Sequence, residues 1–309
     1  MAPILERDLV YVTGKGGVGR STVCAALGLA GAALGRRTIV CEVAEQDRLS
    51  RAFGRPPRVG DEPGPLDDRL WGVSIDPQAA LRGWLSNQLG SRTLSRLLFE
   101  SDAFSYFAAA APGAREIATL GRAAALAEGD AYDLVILDAP ASGHGVAMLR
   151  TPSTFADIAR VGPVRRQALA LHRLLADRSR TAYVAVALPE EMPVNETLEI
   201  ERALPRIVGG GLEAIVVNGV YPRRFDEAEV ERAAAAARDG DSATRRALAA
   251  VAAEHRWARG QRSQLERLGG EVRAPVLTLP FLFEDELRAP QLERLAGELA
   301  GQLDKAHAG

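Results

Sequence analysis

Glycines at positions 14, 16, 17 and 19, followed by Arg20, Ser21 and Thr22, give the spacing G-x-x-x-x-G-[K/R]-[S/T] between an apolar run, Leu9-Val10-Tyr11-Val12, and an alanine-rich helical stretch. A glycine turn alone says little, because glycine serves wherever a backbone needs positive φ. Here the flanking strand and helix signals predict a loop whose N–H groups, from Gly16 and Gly17 through Val18 and Gly19 to Thr22, converge on phosphate oxygens. The positive end of a helix starting near Ser21 reinforces that cradle. Gly14 to Thr22 therefore form a candidate nucleotide-binding loop. Two of its residues depart from the common pattern: Lys15 stands early in the loop, and Arg20 replaces the usual lysine. The chain has only two lysines, Lys15 and Lys305, so keeping one inside the loop points to a place where a compact ammonium is needed and a planar guanidinium does not fit.

A second run, Leu134-Val135-Ile136-Leu137, ends in Asp138. A carboxylate at the end of a buried strand can hold Mg²⁺ together with the Ser21 hydroxyl, or it can cap a turn. The upstream loop favours the metal role. The pattern KGGVG-[K/R]-[S/T] resembles the deviant Walker A motif of the ArsA, MinD and ParA group of dimeric ATPases. Ala139-Pro140-Ala141-Ser142-Gly143-His144 resembles the D-T-A-P-T-G-H switch of the ArsA family. The resemblance implies ATP and ADP as ligands, Mg²⁺ on Ser21 and Asp138, a switch loop able to move at Gly143, and a Lys15 that reaches the partner subunit's nucleotide. It also implies that Asn218 reads the adenine edge and that a loop at Pro280 and Phe281 covers the base. Pro112-Gly113-Ala114-Arg115-Glu116 and Pro189-Glu190 with Glu196-Thr197 are similar to two further segments of that family.

The similarity fails at one position. Where the family carries D-P-A-H-N, with an aspartate that positions the attacking water, a gap-free match places Ala44. Glu42, Glu45 or Asp47 can substitute only if the loop shifts. With Arg20 and Ala44 together, binding is expected to survive and hydrolysis to be slow, since losing a water-positioning or charge-stabilising group typically costs about 10²–10³ in rate. The candidate catalytic set is Lys15, Arg20, Glu42 and Asp138.

The elements that must position these groups are short apolar runs at 9–12, 38–43, 71–76, 133–138, 183–188, 213–218 and 275–279, separated by helical stretches. Strands apolar on both faces that alternate with helices predict an α/β P-loop NTPase fold, a mostly parallel sheet flanked by helices on both faces. A helical insertion is expected over about 78–130 and a second helical segment over about 151–180. Gly54 to Asp68 reads as a surface loop. With 309 residues and no internal repeat, 1–309 is expected to form a single ATPase domain.

A net charge of −2 gives no global attraction to nucleic acid or anionic lipid. No leader-like segment or long apolar run is evident, so the chain is expected to be cytoplasmic without stable membrane anchoring. Cys24 and Cys41 lack a C-x-x-C partner and read as buried packing residues. Scarce methionine and buried thiols disfavour tail-anchor and arsenite cargo. Expected partners are a second copy or a paralogous ATPase, and a protein client. The leading expectation is an ATP-dependent dimeric switch. A hydrolysis-deficient scaffold subunit in a heterodimer is the alternative, and MinD- or ParA-like positioning is disfavoured by the acidic C-terminal helix.

Overall fold

A computed structural model describes residues 3–43, 47–56, 61–89 and 113–308. Ala44, Glu45, Pro112 and positions 90–112 of the expected insertion lie outside the described residues. The strands are β1 (Leu9–Gly14), β2 (Thr38–Val43), β3 (Gly64–Asp67), β4 (Leu70–Ile75), β5 (Leu134–Asp138), β6 (Thr181–Ala187), β7 (Ala214–Val220) and β8 (Val276–Pro280). They form one sheet in the order β3-β4-β2-β5-β1-β6-β7-β8. Every pairing is parallel except β3 with β4. The fold is thus the α/β P-loop NTPase arrangement that the sequence predicts.

β3 corrects the expectation of a surface loop before Asp68. Its Pro65 pairs with Trp71 across a bulged register in the outermost described strand, a place that tolerates proline's missing N–H. The same proline and glycine that signal a loop also suit a short edge strand.

Helices α1 (Arg20–Ala33), α2 (Arg48–Ala52), α3 (Pro77–Leu89), α4 (Ala114–Glu128), α5 (Ser142–Ile158), α6 (Pro163–Ala176), α7 (Glu191–Val208), α8 (Glu227–Asp239), α9 (Ser242–Glu271) and α10 (Ala289–Ala308) connect and cover the strands. Alternation along β1 divides the core. Leu9 and Tyr11 join Ile39, Cys41 and Val135 beneath α4 to α7, whereas Val10 and Val12 join Val40, Leu134 and Ile136 beneath α1 and α10. Both cysteines are buried and unbridged, as expected.

α1 sits unusually close to the sheet because it presents glycine there. A Cβ on Gly28 would lie 2.8 Å from Val40 Cγ2 and 2.9 Å from Leu70 Cδ1. At the opposite edge of β2 and β5, Arg37 clasps Asp133: its backbone N–H donates to Oδ2 at 2.8 Å and its Nη2 to Oδ1 at 2.6 Å. These hydrogen bonds hold the Asp133 carboxyl down at about 2. β1 lies between β5 and β6, where the strand order reverses, so the loop leaving β1 opens into the crevice at the strands' carboxyl ends.

Candidate nucleotide site

The loop from Gly14 to Arg20 runs from the end of β1 into α1. Gly14 has φ 151° and Gly19 φ 85°, a region that favours glycine. Space reinforces geometry at both positions. A Cβ on Gly14 would collide with the Val186 carbonyl of β6, and one on Gly19 with the Asn218 side chain of β7. The loop is thus pressed against β6 and β7 at both ends. A cleft of about 180 Å³ opens beside the loop, bordered by Thr22, Arg48, Leu49 and Leu287.

Ser21 and Asp138 meet at the base of this cradle. Ser21 Oγ donates to Asp138 Oδ2 at 2.6 Å. Burial raises the Asp138 carboxyl above the usual carboxylate range, with the Ser21 hydrogen bond and the Arg20 charge partly opposing it. Among the described residues, Asp138 Oδ1 is buried without a well-aligned hydrogen bond, with Arg20 Nε 3.3 Å away. A hydroxyl beside a carboxylate with an unsatisfied oxygen is a hard-oxygen donor pair, so these residues fit Mg²⁺ chemically.

The two unusual cations of the loop go different ways. Arg20 folds across the base of its own loop: Nη1 donates to the Gly14 carbonyl at 2.7 Å, and Nε lies 3.3 Å from Asp138 Oδ1. Lys15 leaves the loop instead, and its Nζ lies 2.9 Å from a Glu196 carboxylate oxygen on α7. Both ends of that pair are partly exposed, at 31% and 25% of the side chain.

Glu42, at the end of β2, is buried and turned toward α2. Its carboxylate accepts the backbone N–H of Arg48 at 3.1 Å and of Leu49 at 3.3 Å. It satisfies N–H groups that a first helical turn leaves without intrahelical partners. The anchored helix begins with Arg48, whose charge reaches Asp138 and whose side chain borders the cleft. Sequence reading missed Arg48. Its signal was its place one residue before the matched Leu49-Ser50, where the family pattern has the asparagine of D-P-A-H-N.

The switch segment is helical earlier than a mobile loop implies. Gly143 and His144 lie exposed in the first turn of α5, with the His144 N–H on the Ala141 carbonyl at 2.9 Å. That turn is tied down from below, because the buried Tyr11 hydroxyl donates to the Gly145 carbonyl at 2.8 Å.

At the far end of the cradle, Asn218 Nδ2 donates to the Val18 carbonyl at 3.0 Å, bracing the loop from β7. Pro280 ends β8, and Phe281 behind it stacks on Tyr221 with centroids 4.6 Å apart. Phe283 meets Phe281 edge-on, and the Arg224 guanidinium lies 4.1 Å over the Phe283 ring. Tyr221 was not singled out from sequence. It is placed by the β7–β8 pairing, a long-range contact that no local pattern announces.

A glycine cradle at the strand-order reversal, an adjacent Ser–Asp pair and a helix rising from the loop define the site of a P-loop nucleotide hydrolase. The family model described as anion-transporting ATPase matches residues 7–167, and the chain belongs to this ArsA ATPase family. Among its relatives, the ATPase BagA of Mycobacterium tuberculosis is 29% identical over 247 residues, 76% of this chain and 71% of the relative. ATPase GET3 of Kluyveromyces lactis is 25% identical over 264 residues, 71% and 74% of the two chains. ATPase ASNA1 homolog 1 of Paramecium tetraurelia is 22% identical over 257 residues, 68% and 74%. Membership makes the chain a P-loop ATPase whose ligand is a nucleotide.

Proposed function

We propose that this ATPase is a slow, nucleotide-driven dimeric switch: ATP closes two subunits around their cradles, and hydrolysis reopens them to control a protein client. The observation that carries the reading is the direction of Lys15. A lysine needed by its own nucleotide belongs inside its own cradle, yet here it pairs with Glu196 on a partly exposed helix. From that face an ammonium can supply charge to a phosphate held by a neighbour. Ser21 and Asp138 would hold Mg²⁺, which when bound supplies positive charge to the β- and γ-phosphate oxygens. Asn218, Pro280 and Phe281 would hold the base. Glu42 acts by fixing α2, which carries Arg48 to the cleft.

Single-turnover hydrolysis tests the reading. Measurable turnover by the purified chain that falls at least about 10²-fold in Lys15→Ala, with nucleotide affinity retained, supports the switch. Equal turnover in the two proteins rejects a role for Lys15. A second reading, a non-hydrolysing scaffold subunit paired with an active paralogue, is favoured by the ion pair between Arg20 and Asp138. Tight ATP binding with no turnover alone, and turnover on adding the paralogue, supports it.

A further inference from the structure

Arg20 and Asp138 form the least exposed cation–carboxylate contact in the site, with side chains 17% and 9% exposed. The pair is loosely aligned: Arg20 Nε and Asp138 Oδ1 are 3.3 Å apart, and among the described residues neither atom has a well-aligned hydrogen bond. The guanidinium is held in place by its other end, through Nη1 on the Gly14 carbonyl at 2.7 Å. Its fork thus spans a carbonyl of the loop and the carboxylate that suits the metal. A lysine's single ammonium has no second, separately anchored group to hold it beside the carboxylate. In such a loop, once its lysine turns to the incoming phosphates, the carboxylate keeps its negative charge until a divalent cation cancels it. Here a covalently tethered positive charge already lies within 3.3 Å of that oxygen, and Arg48 adds a second charge from α2. Replacing a diffusible cation by one built into the chain removes much of the metal's contribution to binding while leaving the oxygen donors in place.

We infer that Arg20 is a tethered counter-cation for Asp138 that makes nucleotide binding by this chain largely independent of a divalent ion. The inference rests on the nucleotide-binding reading of the cradle, and the test separates the two.

A non-hydrolysable ATP analogue is titrated into the full chain by calorimetry, once in excess Mg²⁺ and once in EDTA. The wild-type dissociation constants should agree within about threefold. In Arg20→Lys, and in Arg20→Gln, which removes the charge, chelation should weaken binding by about tenfold or more. Either variant suffices if the other does not fold, and circular dichroism decides which is folded. Wild-type binding that collapses about tenfold in EDTA overturns the inference while leaving the cradle a nucleotide site. A folded variant that stays metal-independent also overturns it, because the charge is then not the cause. Absence of analogue binding in either buffer removes the nucleotide reading of this cradle and the inference together.

Discussion

Asp138 carries a cost that its environment only partly offsets. Burial disfavours its charge, whereas Ser21 and Arg20 favour it, and the balance leaves the carboxyl raised. The sign of the pH dependence follows. A group with a higher pKa folded than unfolded adds stability in its protonated form, fully present below the unfolded value near about 3.9 and lost as pH rises through the folded value. The ionised form of this carboxylate is therefore a local destabiliser, kept for function. Asp138→Asn should raise the thermal midpoint of the nucleotide-free protein at pH 7 by about 2 °C. The difference should shrink toward zero as the pH is lowered to about 4. Scanning calorimetry of the two proteins from pH 7 to 4 checks this, and a midpoint that falls at pH 7 contradicts it. At this scale the placement of residues was legible where spacing is local. The loop glycines, Ser21 and the strand-end aspartate all sit where their motifs put them, because each is fixed by neighbours within a few residues. Tyr221 was illegible for the opposite reason: it gains its place through strand pairing and ring packing distant in sequence, whereas Arg48 had only its place beside Leu49-Ser50 as a signal.

The sheet strands were legible as elements because burial on both faces leaves uninterrupted apolar runs. β3 was not, since a short edge strand needs no such run. The start of α5 was also hidden, because the glycine that signals a movable loop is tolerated in a first helical turn held by Tyr11. Element positions lead to two predictions. Gly28 lets α1 settle against Val40 and Leu70, so Gly28→Ala must push the helix outward or distort those side chains. Overpacking of this kind costs about 1–3 kcal/mol, which urea unfolding would register as a lower midpoint with an unchanged slope. Because α1 begins at Arg20, the shift should also weaken nucleotide binding, while an unaltered midpoint would mean that the contact is soft. The clasp between Arg37 and Asp133 gives the second. Its carboxyl is held at about 2, so it contributes stability above the unfolded value that disappears as pH falls through the folded one. Asp133→Asn should lower the thermal midpoint at pH 7, and the gap from wild type should close between about pH 4 and 2. A gap that widens on acidification would reverse the assignment.

For the whole molecule, the question is whether the face bearing Lys15 belongs to one subunit or to two. α7 turns Glu196 toward the lysine, and one helical turn earlier the same face carries Met192, 59% exposed. An apolar side chain beside a partly exposed ion pair suits a surface that closes on nucleotide and opens without it. In the nucleotide-free chain Glu196 competes with any phosphate for the Lys15 ammonium, so weakening that competition should favour the closed state. An exposed pair of this type contributes at most about 1 kcal/mol, which limits the expected gain to roughly fivefold in dimer affinity. Light scattering on the wild type with a non-hydrolysable ATP analogue should give a mass that rises from one subunit toward two. Lys15→Ala should remain a monomer while still binding the analogue. Glu196→Gln should reach the dimer at a protein concentration up to about fivefold lower than wild type. If Lys15→Ala dimerises as readily as wild type, the ammonium does not bridge subunits. If Glu196→Gln dimerises less readily, the carboxylate belongs to the interface itself and does not restrain the lysine.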